Sequence, residues 1–323
     1  MDLTHLTTLH LYPCAPFNFD ASLHKPDHFP STDTAWQPGI RWQTMFWEGQ
    51  ILGLKFENRG ALDRPEIALS VWSQAPLEAD FQQRLGREIT YRLNLDLDLE
   101  PFNRRFSGDP RFGEILRRWV GMRPATYSSL YEYLMIAIVL QNATVRRSVN
   151  MLQTLFEHYG SHVGYDEREL SAFWAPETIA QTSEDELRAL KVGYRAKSIL
   201  RVSQAFANRQ IDEFELRRMD LPDQRQALLD LYGVGPASAG YILFDVFHRW
   251  DQLDHISPWE QKIFSRLFFD RDPEDPVPVE DLIAFFDRHF SPYRMLAVNY
   301  IWEDLWWRRK NEPVEWLERL IRL

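Results

Sequence analysis

Through the first hundred residues, apolar and polar positions form short β-prone runs punctuated by Gly, Asn, Asp and Pro. Residues 42–47, 49–56 and 66–72 are the clearest of these, and runs of this length between such breakers predict strands of an antiparallel sheet. Residues 76–85 carry apolar side chains at helical spacing, which embeds one helix among the strands, and the alternating residues 89–95 predict a further strand. After Leu99 the period changes. Apolar positions then recur every three or four residues, with Ser, Thr or Asp where a helix would begin. Helices are predicted over residues 128–140, 144–159, 183–190, 195–207 and 279–290. Strands followed by a run of helices make an α+β protein, with an antiparallel sheet unit over residues 1–100 and an all-α unit over residues 101–323. The acidic, Pro-rich residues 270–278 read as an exposed connection.

Composition narrows the class. With 45% hydrophobic and 26% charged residues among 323, the chain can bury a large core and is neither disordered nor fibrous. No uninterrupted apolar run reaches a membrane-spanning length, and residues 1–16 show no basic leader, so an intracellular protein without a membrane partner is expected. The single cysteine, Cys14, excludes an internal disulfide framework, a four-cysteine zinc site and a Cys-ligated iron–sulfur cluster within one chain. A net charge of -10 argues against indiscriminate phosphate binding, yet residues 101–150 hold 8 Lys and Arg against 3 Asp and Glu. Positive charge is local.

The most informative stretch is residues 228–243, where a helical pattern stops at Gly233-Val234-Gly235 and restarts at Pro236. Glycines permit close approach, and the unpaired amides at the start of the second helix suit one anion, such as a nucleic-acid phosphate. Such a contact is to the backbone and independent of base sequence.

With its context, this hairpin resembles that of the helix-hairpin-helix DNA glycosylases (the HhH-GPD superfamily), in the branch of 3-methyladenine glycosylase II and 8-oxoguanine glycosylase. Residues 16–23 look like that branch's first strand, and residues 95–102 with Asp109-Pro110 look like the junction into its helical domain. Residues 129–144 resemble the helix and loop that probe the duplex, and residues 192–197 are similar to a Gly-Tyr-Arg-Ala segment that precedes the hairpin. The resemblance implies base excision: duplex DNA is bound, one damaged nucleotide is extruded, and its N-glycosidic bond is hydrolysed.

Under that resemblance Gly233, Val234, Gly235 and Ala237 form the phosphate-binding hairpin, Gln141 and Asn142 fill the gap left by the extruded base, and Arg146 and Arg147 follow one turn later. Tyr241 and Trp302, with Trp259 beside them, match a base pocket whose electron-rich faces would attract a cationic alkylated purine. The family's catalytic Asp, aligned on residues 262–266, falls on Ser257, which has no charge to offer. Counted from Gly233, Asp254 falls 21 residues on and is the expected catalyst, with Glu260 as the alternative. His255 reads as an exposed loop residue. Ala237 occupies the place of the lysine that forms a Schiff base in bifunctional members, so strand cleavage is not expected. No cofactor is required, although the carbonyls of Leu229, Leu231 and Val234 match positions that hold K+ or Na+ in related hairpins. A monomer acting on damaged double-stranded DNA is expected. The alternatives are an oxidised-purine glycosylase and a catalytically silent DNA-binding protein.

Overall fold

In the computed structural model, which describes residues 1–24, 29–312 and 314–320, five strands form one antiparallel sheet. The strands are β1 (Thr4–Leu11), β2 (Thr34–Gln37), β3 (Ile40–Trp47), β4 (Gln50–Asn58) and β5 (Ile67–Ser73), in the spatial order β1-β5-β4-β3-β2. The predicted runs are β3, β4 and β5. Leu52, Leu54, Phe56, Ile67, Leu69 and Val71 are fully buried, and helix α1 (Ala79–Arg92) contributes Phe81, Leu85 and Ile89 to the same cluster.

Two local expectations are corrected. Residues 89–95 are not a strand: Leu85, Ile89 and Leu93 lie one helical turn apart and are all buried, so α1 continues to Arg92. Its last turn is closed by the buried Glu88–Arg92 pair at 2.7 Å. Residues 16–23 are not the first strand either. That strand is β1, whereas Asn18 caps a short helix, Phe19–Leu23, by accepting from the Ala21 amide at 3.1 Å. The fully buried Arg123 ties these segments together, donating to the carbonyls of Cys14, Pro16 (2.9 Å), Asn94 (3.0 Å) and Leu97 (2.8 Å).

The remainder is not all-α as expected: it is helical apart from one β-hairpin, which is held by its packing on the sheet. The main elements are α2 (Leu130–Leu140), α3 (Val145–Tyr159), α4 (Arg195–Ala207), α5 (Leu221–Leu229), α6 (Pro236–Asp245), α7 (Pro258–Phe269), α8 (Val279–Phe290) and α9 (Arg294–Asn311). Thr144 caps α3 at its side-chain oxygen, as its sequence position predicts, whereas α2 is capped by Ser129, one residue past the expected start at Ser128. The predicted helix over 183–190 is shorter, Glu184–Leu187, and runs into a distorted turn where Lys191 has φ 64°. One β-hairpin also lies in this region, β6 (Ser161–Tyr165) with β7 (Arg168–Ala172). It sits on the sheet: the Tyr165 ring lies where a side chain at Gly53 would stand, and its hydroxyl donates to the Gln43 carbonyl at 2.7 Å.

Two apolar clusters fill the helical region, one around α2–α4 and one around α7–α9. Helix α6 joins them, since Ile242 and Leu243 belong to the first and Phe244 to the second. That leaves the N-terminal half of α6 at a surface between the two. Among the described residues no helix is long and apolar enough to cross a membrane.

Candidate functional site

The α5–α6 turn has the predicted form. Gly233 has φ 87°, and a Cβ there would lie 2.7 Å from Ser198 Oγ, so both its conformation and its contact with α4 require glycine. Gly235 caps α6 in extended backbone, and no other group comes within 4 Å of where a Cβ would stand, which leaves the first turn of α6 open to an approaching ligand. Pro236 at the first helical position costs no hydrogen bond there. At the other side of the turn, the Leu231 carbonyl accepts the Val234 amide at 3.0 Å and keeps a second lone pair, while Leu229 ends α5 with its carbonyl beyond the intrahelical ladder.

The predicted probing loop packs directly against this turn. Gln141 Nε2 donates to the Gly233 carbonyl at 2.7 Å, and the Gln141 carbonyl accepts from Arg195. Asn142, at φ 48°, donates to the Tyr194 hydroxyl at 3.2 Å. Three segments far apart in sequence, 141–142, 193–195 and 233–235, therefore meet at one face, with Asn142, Tyr194 and Gly233 exposed and Arg195 and Val234 buried beneath them. Arg146 and Arg147 flank it, exposed and without an ion pair among the described residues. Tyr232 adds an exposed ring covered by Lys197 at 5.3 Å and Arg201 at 4.3 Å.

Beside the N-terminal half of α6 lies a pocket of about 620 Å³, counting the open space at its mouth. Ala237, Tyr241, Glu260, Asp254 and Arg225 all line it. Tyr241 is 43% exposed and Glu260 only 5%. Ser257 and Glu260 form a reciprocal cap of α7: Glu260 Oε2 accepts from the Ser257 amide at 2.8 Å and from its hydroxyl at 2.6 Å. The other oxygen, Oε1, accepts from the Tyr241 hydroxyl at 3.2 Å. Burial and the neighbouring Glu260 carboxylate hold the Tyr241 phenol well above its ordinary pKa, so it stays a donor. Asp254 sits at the rim instead, its Oδ2 held by Arg225 of α5 and by Gln252 Nε2 at 2.7 Å.

The other expected site residues are distributed differently. Trp259 and Trp302 pack against each other, ring centres 4.6 Å apart and planes tilted by 36°, and Trp302 also packs on Phe264 at 6.0 Å. Neither lines the pocket around Tyr241. His255 is exposed at the pocket's edge. Sequence reasoning did not single out Arg225 or Gln252, whose spacing from Asp254 carries no motif; only the return of α5 beside the 252–255 loop brings them together. Tyr194 lies within a segment that the sequence does match, yet nothing in residue order signals its contact with the probing loop.

Residues 135–291 match the family described as HhH-GPD superfamily base excision DNA repair protein. That match covers just under half of the chain. A curated relative, the DNA-3-methyladenine glycosylase of Bacillus subtilis (strain 168), is 22% identical over 169 residues, which cover 52% of this chain and 56% of the relative. The match thus spans little more than half of that relative's length. Among solved structures, the 3-methyladenine DNA-glycosylase from Archaeoglobus fulgidus superposes with a TM-score of 0.73 at 15% identity, covering 92% of this chain and 98% of its own. The Clostridium acetobutylicum 8-oxoguanine glycosylase/lyase, in complex with double-stranded DNA containing cytosine opposite 8-oxoG, gives 0.69 at 15% identity, with 96% and 98% covered. The α+β fold of these two structures is shared over nearly the whole chain.

Proposed function

We propose that this protein is a monofunctional DNA N-glycosylase that extrudes an alkylated purine from duplex DNA and hydrolyses its bond to the sugar. The observation that carries the reading is the construction of α6. Its first turn presents the open Gly235 hairpin, and one turn further on Tyr241 faces a buried carboxylate in a pocket. A strand whose phosphate rests on the hairpin has its neighbouring nucleotide at the pocket mouth. Gln141 and Asn142, held beside the same hairpin, would supply the side chain that enters the vacated stack.

Glu260 is the carboxylate we assign to the reaction. As the bond between C1′ and the base nitrogen breaks, positive charge spreads over the sugar, and a buried carboxylate with fixed hydrogen bonds stabilises it without reorganising. Water adds its oxygen to C1′ and releases its proton, and the alkylated base departs as a neutral molecule. Asp254, the expected catalyst, is more exposed and already balanced by Arg225, which disfavours it for this role. Tyr241 supplies the aromatic face for a cationic base, worth about 0.5–2 kcal/mol. Trp259 and Trp302 would support α7 as a tilted aromatic pair beside the pocket.

No lysine lines the pocket and Ala237 has no amine, which supports hydrolysis without strand cleavage. The carbonyls of Leu229, Leu231 and Val234 would hold a monovalent cation, whose charge adds to the hairpin's attraction for phosphate. The reading extends to a monomer acting inside the cell. Single-turnover assays on duplexes with one alkylated or one oxidised purine test it: alkali-labile abasic sites in alkylated DNA are expected. Preference for 8-oxoguanine would replace the substrate assignment, and salt-sensitive duplex binding with no excision of either would leave a DNA-binding protein.

A further inference from the structure

The Arg225–Asp254 pair stands at the mouth of the same pocket, with no role in the chemistry assigned above. The side chains are 32% and 39% exposed, so neither is locked in the core. Asp254 Oδ2 takes both the Arg225 guanidinium and the Gln252 amide, while the exposed Tyr241 and the buried Glu260 line the same pocket beside them. Glu260 has no ion-pair partner among the described residues, and its bonds come from neutral hydroxyls and an amide. The charged side chains lining the pocket are thus two carboxylates and one guanidinium, with His255 at the edge.

From this arrangement we infer that Arg225 and Asp254 form a cation-exchange gate that selects positively charged bases. The inference rests on the glycosylase reading and deepens its substrate class. An arriving alkylpurine cation can replace the guanidinium as counter-ion of Asp254, so opening the pair does not leave Asp254 unbalanced. A neutral base opens the pair without replacing that charge. The cost of separating the pair is then recovered only for the cationic base, and discrimination arises before the glycosidic bond is touched. Released Arg225 remains on α5, the first helix of the phosphate-binding hairpin, where a DNA phosphate is its natural new partner.

The test compares one cationic and one neutral base in each variant. Single-turnover excision is measured on duplexes that differ only in carrying N7-methylguanine, below neutral pH where it is cationic, or hypoxanthine. The ratio of the two rate constants is expected to rise in Arg225→Gln, where Asp254 is permanently unpaired. It is expected to fall about tenfold in Asp254→Asn, where the remaining guanidinium repels a cation. Arg225→Lys should resemble the parent. A purely structural role for the pair would lower both rates together and leave the ratio in place, which would overturn the inference, as would a ratio that rises in Asp254→Asn. Quenching of protein fluorescence by N7-methylguanosine against inosine gives an arm independent of catalysis. Retention of the same order there without excision would sink the glycosylase reading and keep the gate; excision with no order in either arm would do the reverse.

Discussion

Replacing Glu260 by Gln removes one negative charge and almost nothing else. Glutamine keeps an oxygen acceptor for the Ser257 amide and hydroxyl, the two bonds at 2.8 and 2.6 Å that cap α7, so folding stability should fall by less than about 1 kcal/mol. The amide it places opposite Tyr241 can donate where Oε1 accepted at 3.2 Å, and the phenol can turn to accept. The loss is therefore electrostatic. A carboxylate about 4–5 Å from a developing unit charge, at an effective dielectric constant near 20, contributes roughly 3–4 kcal/mol. That corresponds to a rate reduced about two to three orders of magnitude. Single-turnover excision from an alkylated duplex, with abasic sites revealed by hot alkali, reads the rate directly, and binding to the same duplex should hardly change. The loss should appear for cationic and neutral bases alike, unlike the ratio change expected at Asp254. A near-normal rate in Glu260→Gln beside a dead Asp254→Asn on both bases would return the catalytic role to Asp254, and activity in both would remove it from either.

At the hairpin, Gly233→Ala should destabilise the protein by more than about 1 kcal/mol in denaturant titrations, because φ 87° and Ser198 Oγ at 2.7 Å both oppose a Cβ. Gly235→Arg should instead fold normally and weaken all duplexes alike in anisotropy titrations; a loss confined to damaged DNA would contradict the phosphate assignment. Borohydride should trap no covalent complex, since Ala237 cannot form a Schiff base, and efficient trapping would identify another amine. Burial, partly opposed by Arg92, raises the Glu132 pKa from 4.5 to about 7. A raised acid pKa favours the fold when protonated, so this contribution is complete below the unfolded value of 4.5 and is lost as pH rises through about 7. Glu132→Gln should flatten that decline, removing up to about 3 kcal/mol of pH dependence; equal slopes in parent and variant would show that the carboxylate does not titrate there.

Much of the fold is legible because helix periodicity and caps are local. Arg195–Ala207 and Val279–Phe290 begin and end where their apolar spacing does, and Thr144 announces its helix by side-chain chemistry alone. The β6–β7 hairpin carries no such signal. Its turn places Asp166 and Glu167 at φ 47° and 58°, positions where Asn or Gly would advertise the turn, and it is held by Tyr165 on the sheet. Residues 89–95 misled because a helix end followed by Leu93 and Leu95 mimics alternation, and only packing on the sheet selects between the two periods.

The same division runs through the site. Gly233-Val234-Gly235 and the reciprocal cap of Ser257 with Glu260 are each contained within a few residues, so their local form follows from residue type: a glycine that must take positive φ, a hydroxyl and a carboxylate three positions apart. What residue order could not decide is which carboxylate faces Tyr241. Asp254 has the better spacing from the hairpin, yet Arg225, 29 positions earlier, draws it to the rim, while α7 turns Glu260 inward. Charge neutralisation and burial are properties of side chains that meet across the fold, and only the packing of α5, α6 and α7 around one pocket determines them.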